Sequence, residues 1–134
     1  LAYLAGTWSS PWAGRLAMRV GRLRVLAGSA GLMAAAVALT LVPHPAILVP
    51  ALVVATGSFF AAHSVASGWA GTAATTGRAQ STSLYNLAYY AGSSLFGYLG
   101  GFAWTSMGWP GVVLGVVGLT AVAGVWAVVS LPRR

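Results

Sequence analysis

The chain has 134 residues, of which 58% are hydrophobic and 5% charged, with no cysteine and a formal charge of +7. Soluble domains carry about a quarter charged residues, so this chain cannot cover a water-facing surface and reads as one solvated by lipid. All seven charges are arginines, with no Lys, Asp or Glu beside them. That excludes paired-acid hydrolysis, carboxylate-held Mg²⁺ or Ca²⁺ and an acidic proton relay within the chain, and without Cys no thiolate metal site can form. No metal, no cofactor and no enzymatic chemistry are expected, because two distant histidines without a carboxylate make no catalytic constellation. Nucleic acid is not an expected partner either. A nucleic-acid face needs a contiguous basic patch, whereas these arginines lie between or after long apolar runs.

In chain order, the opening piece, about 1–12, is apolar but too short to span a bilayer, which takes about 20 residues. It begins with Leu1 inside an apolar run and is expected to be the remainder of a helix. Four Arg-free runs long enough to span follow, at about 25–42, 46–69, 82–106 and 111–131. Each is continuous rather than alternating and about twice the length of a barrel strand, so helices that satisfy their own backbone are expected. Pro43-His44-Pro45 and Met107-Gly108-Trp109-Pro110 are the tight connections, with proline stopping one helix or opening the next. His44, in the first of these, is expected to be solvated.

Arg15, Arg19, Arg22 and Arg24 precede the first full span, Arg78 follows the second, and Arg133 and Arg134 follow the fourth. Basic residues therefore recur on every second connection, the positive-inside pattern. It predicts a multi-pass membrane protein with the arginine-bearing loops and the C-terminus cytoplasmic. The six tryptophans fall near span ends, where amphipathic rings anchor at the interface.

Small residues let helices approach closely in lipid. Gly57, Ala61, Ser64 and Gly68 form one stripe at helical spacing, and Gly97/Gly101 and Gly111/Gly115 make two G-x-x-x-G pairs; all are expected to serve helix packing. His63 is the one ionisable side chain inside a span other than tyrosine. Burying such a group in lipid is costly, which makes it a candidate for substrate binding or coupling, although a packed structural histidine accounts for it equally. Ser67 shares its face, and Asn86, Tyr89 and Tyr90 add an amide and hydroxyls in the next span. Such groups are expected to face protein or a cavity, and would suit amphipathic organic solutes. Tyr85, Tyr89 and Ser93 share one such face, although interfacial position accounts equally for Tyr85 and extends to Tyr89.

The segment Gly14-Arg15-Leu16-Ala17-Met18-Arg19-Val20-Gly21-Arg22 resembles the loop signature of the major facilitator superfamily. Gly14, Leu16, Ala17, Arg19, Gly21 and Arg22 match in register, whereas the signature's acidic position is Met18. Residues 57–67 and 78–94 resemble the tenth and eleventh helices of the YnfM-like inner-membrane efflux and sugar-efflux-like group of that superfamily. The resemblance implies an all-α membrane bundle in which this chain is part of the C-terminal domain, from about the end of helix eight through helix twelve. It further implies a missing N-terminal half, and movement of a small organic solute by alternating access, with efflux by proton antiport as the family-level expectation. The other reading of the residues is a small complete four-span protein that oligomerises through its glycine stripes as a channel or assembly subunit.

Overall fold

The computed structural model describes residues 2–130 and is built of helices, in the order α1 (Ala2–Val20), α2 (Arg22–Leu39), α3 (Pro45–Ala73) and α4 (Arg78–Ser130). Helices α2, α3 and α4 are long and apolar enough to cross a membrane. With a rise of 1.5 Å per residue, the 18 residues of α2 cover about 27 Å, close to the hydrocarbon thickness of a bilayer. The accessible surface is 8967 Å². A soluble monomer of 13.6 kDa would expose only about 6,600 Å². Much of the excess is apolar, with Leu84, Phe102, Leu114 and Val122 all exposed, which water would penalise and hydrocarbon does not.

Element boundaries differ from the apolar runs in an instructive way. The arginine segment expected as a loop is helical on both sides, with α1 running on through Arg15 and Arg19 and α2 opening at Arg22. The connection is Gly21 alone, at φ 99° and ψ 142°. Similarly, α3 continues past Trp69 to Ala73, and α4 begins at Arg78 rather than at 82. Apolar composition marks the depth reached in the bilayer, whereas backbone hydrogen bonds continue into the headgroup region as long as nothing interrupts them.

His44 is exposed, as expected, but it also caps α3. Its backbone is extended (φ −127°) and its Nδ1 accepts the Ala46 N–H at 3.3 Å, with Pro45 in the first helical turn. The third and fourth spans are the two arms of α4, separated by non-helical Gly108 at φ 64° and ψ −155°. Residues of both arms, Gly92 and Phe96 on one and Val116 and Leu119 on the other, line one groove, so the second arm doubles back along the first. The end of the fourth span at Leu131, and Arg133 and Arg134, lie outside the described residues.

Interior contacts are made by small side chains. Ala13 and Ala17 of α1, Val25 of α2 and Val65 of α3 form a buried cluster flanked by Leu26 and Ala61. Gly57 lies against α1, where an added Cβ would stand 3.8 Å from that of Ala5, and Gly111 has no room for a side chain beside Ala103 and Met107. The Phe60 ring occupies the space a Cβ on Gly6 would need. Two polar pins hold α2 at opposite ends. Arg22 donates from Nη1 to Thr72 Oγ1 of α3 at 2.9 Å, and Trp109 of α4 donates from Nε1 to the buried Thr40 Oγ1 at 2.9 Å.

The Gly108 conformation lies in a region of backbone space held almost exclusively by glycine. Gly108→Ala is expected to destabilise the protein by about 1–3 kcal/mol, read as a lower Tm of tryptophan fluorescence in detergent. An unchanged Tm would show that the turn does not depend on this residue.

Candidate functional site

The polar chemistry inside the spans gathers where α3 meets the first arm of α4. One α3 face presents Phe59 and His63, four residues apart, and the arm presents Tyr85 and Tyr89 at the same spacing. The Tyr85 hydroxyl lies 3.0 Å from His63 Nδ1 and 3.4 Å from the His63 carbonyl oxygen. The His63 ring centroid is 4.7 Å from that of Tyr89 and 5.8 Å from that of Phe59, with the Phe59 ring stacked at 15°. Phe60 and Tyr3 continue the row towards α1, and Tyr90 extends it outwards, edge-on to Tyr89 at 5.2 Å. The row thus ties three helices together. Beside it, a groove of about 630 Å³ is lined by Met33, Phe59, Tyr89, Ser93, Phe96 and Thr120, among others.

The five candidate residues do not all meet. His63, Tyr89 and Tyr90 belong to the cluster. Ser67 is half-buried but turns its hydroxyl back onto its own helix, donating to the Ser64 carbonyl at 3.2 Å. Asn86 is exposed, and among the described residues neither it nor Ser67 hydrogen-bonds to His63 or Tyr85. Tyr85, for which interfacial position accounts equally, is the direct partner of His63. The signal for it was present in the sequence. Folding the chain back at the 74–77 connection sets residue 63 opposite the 85–89 stretch, and Ser81, which donates to the Ala70 carbonyl at 2.8 Å, keeps the same antiparallel order.

The arginines collect at the opposite end of the helices from Trp109 and Thr40. Arg22 bonds Thr72 and lies 5.9 Å from the Trp69 ring, and Arg15 stacks at 4.6 Å over Trp12. Arg19 and Gly14 are exposed, and Arg78 opens α4 at the same end, its Nε reaching the Ala74 carbonyl at 3.4 Å. With no carboxylate side chain in the sequence, Asp or Glu partners for these cations cannot come from within the chain. Among the glycines and small residues expected to pack helices, Gly57 and Gly111 do so, and Ser64 donates to the Ala61 carbonyl. Gly97, Gly101 and Gly115 meet nothing within 4 Å and lie on the exterior. Among the described residues, no group of three His, Cys, Asp or Glu could hold a metal ion.

Comparison with known proteins places this architecture. Over 112 residues, 84% of this chain, it is 46% identical to the inner membrane transport protein YnfM of Escherichia coli (strain K12), of which the match covers 27%. It is 40% identical over 112 residues to an uncharacterized transporter of Buchnera aphidicola subsp. Schizaphis graminum, again 84% of this chain and 27% of the relative. It is 35% identical over 126 residues, 94% of this chain, to the uncharacterized MFS-type transporter YybF of Bacillus subtilis (strain 168), covering 31% of it. The chain therefore spans less than a third of the length of these curated relatives. No family model matches it, and no solved structure does. Relatives that are transporters rather than enzymes, matched over most of this chain, together with its all-helical apolar build, show that the chain belongs to the major facilitator superfamily.

Proposed function

We propose that the chain is the C-terminal part of a secondary active transporter that exports a small organic solute in exchange for protons. In this reading residues 1–134 cover the end of helix eight through helix twelve, and the solute passes between this domain and an N-terminal half by alternating access. The observation that carries the proposal is the polar aromatic cluster of His63, Tyr85 and Tyr89 inside helices that are otherwise apolar. A group as costly to bury in lipid as histidine is kept there for a task or a partner, and a row of rings with hydroxyl tips is suited to an amphipathic solute. The relatives' names, all those of transporters, support the general activity.

The collection of Arg15, Arg19, Arg22, Arg24 and Arg78 at one end supports an orientation with that end in the cytoplasm, since basic residues are retained on that side. The C-terminus would lie on the same side. Trp104, Trp109 and His44, at the far end, would then face outwards.

Two measurements test these readings in the full-length transporter. His63→Ala is expected to lower solute efflux from membrane vesicles on the order of tenfold, the loss of about 1.4 kcal/mol of interaction, at unchanged membrane abundance. Undiminished efflux would return His63 to a packing role. Orientation is open to single-cysteine labelling, since this chain has no cysteine of its own and any in the rest of the transporter can be replaced by serine. In intact cells, a membrane-impermeant maleimide should label His44→Cys and spare Thr76→Cys, and the reverse pattern would invert the topology.

A further inference from the structure

We infer that Tyr85 fixes His63 as the tautomer with its proton on Nε2, which makes this wall of the transporter a binding site for planar aromatic solutes carrying a hydrogen-bond acceptor. The inference rests on the transporter reading above and deepens it by naming the positioning residue and the solute class. A neutral imidazole has one donor and one acceptor nitrogen, and the bond made by one nitrogen decides the role of the other. The Tyr85 hydroxyl has a single proton and two possible targets, Nδ1 at 3.0 Å and the His63 carbonyl at 3.4 Å. The second is long for an O–H···O bond, whose usual range is about 2.5–3.0 Å, and that carbonyl, inside α3, already has the helical acceptor role. A phenol is also a good donor and a weak acceptor, whereas a bare imidazole nitrogen is a good acceptor. The hydroxyl therefore donates to Nδ1, and the ring proton resides on Nε2.

Among the described residues, Nε2 has no protein hydrogen-bond partner, nor do the Tyr89 and Tyr90 hydroxyls. The wall thus offers an N–H donor that cannot accept, two hydroxyls, and the flanking rings of Phe59, Tyr89 and Tyr90, with Tyr90 67% exposed. Flat rings stack on such a surface with centroids about 4.5–7 Å apart, and the N–H requires an acceptor on the solute. A full charge of either sign finds no counter-charge in this wall, because the chain has no Asp or Glu and its arginines stand at one end of the helices, so what the wall selects is a hydrogen-bond acceptor on the solute. The class that satisfies both features is a planar aromatic bearing a carbonyl-type acceptor, for which 4-hydroxybenzoate is a suitable probe.

The test uses the full-length transporter in lipid nanodiscs with ¹⁵N-labelled histidine, the His63 signals being assigned by their loss in His63→Gln. Expected is a bare Nδ1 and a protonated Nε2, with the Nε2 signal displaced by 4-hydroxybenzoate and not by tetraphenylphosphonium, an aromatic cation without an acceptor. Tyr85→Phe keeps the ring and removes only the hydroxyl. It should let both tautomers appear and weaken 4-hydroxybenzoate binding about fivefold, the effect of one hydrogen bond. A protonated Nδ1 in the unaltered protein, or an unchanged tautomer in Tyr85→Phe, would overturn the positioning role. Displacement by the cation and not by the carboxylate would overturn the solute class. Binding as expected without transport of 4-hydroxybenzoate or any other solute would leave the site standing and sink the transporter reading instead.

Discussion

In hydrocarbon, apolar surface gains nothing by choosing a neighbouring helix over a lipid tail, and that constraint shapes the rest of this protein. What draws its helices together is close contact of small side chains and a few hydrogen bonds that have no competitor in lipid. The buried cluster is accordingly made of Ala13, Ala17, Val25 and Val65, and among the described residues no large side chain is fully enclosed. Gly57 lets α3 lie directly against α1, and Gly111 matters because nothing larger fits where it stands. The same constraint explains why α2 is pinned at both ends by polar side chains. Arg22 bonds Thr72 at one end and Thr40 receives Trp109 at the other, so that α3 and the second arm of α4 are held on a common helix.

The candidate site follows from the same physics. An imidazole inside a span has to find polar partners, and the antiparallel pairing of α3 with the first arm of α4 supplies Tyr85 at 3.0 Å. The rings of Phe59 and Tyr89 flank it without adding charge. The result is a polar centre in an apolar wall, next to a groove lined by residues of α2, α3 and both arms of α4. The wall presents aromatic faces and hydrogen-bonding groups, while the arginines remain at one end of the helices.

Where sequence and structure part, the reason is one of neighbours. Gly57, Gly97, Gly101, Gly111 and Gly115 look alike on a helical wheel, since spacing defines a shared face and not what covers it. Contacts within the chain cover the first and fourth and leave the other three open. Asn86 and Tyr85 are adjacent in sequence and about 100° apart around the helix, and that rotation decides that Tyr85 meets His63 while Asn86 stays exposed. The arginine segment, rich in charge and glycine, reads as a loop. It is helical except at Gly21, because arginine is a good helix former and one residue at φ 99° suffices to turn the chain.

By itself, the sequence determined the solvent and the plan. Absent acidic residues, 58% hydrophobic content and Arg-free runs of spanning length admit little besides membrane helices, and prolines and glycines mark where the chain turns. These are properties of composition and order, legible without any partner. The tertiary structure alone decided which side chains share a space: His63 with Tyr85 rather than with Ser67 or Asn86, Arg22 with Thr72, and Trp109 with Thr40. Those pairings join residues up to 69 positions apart, and they depend on the rotation and depth of each helix, which packing sets and composition does not.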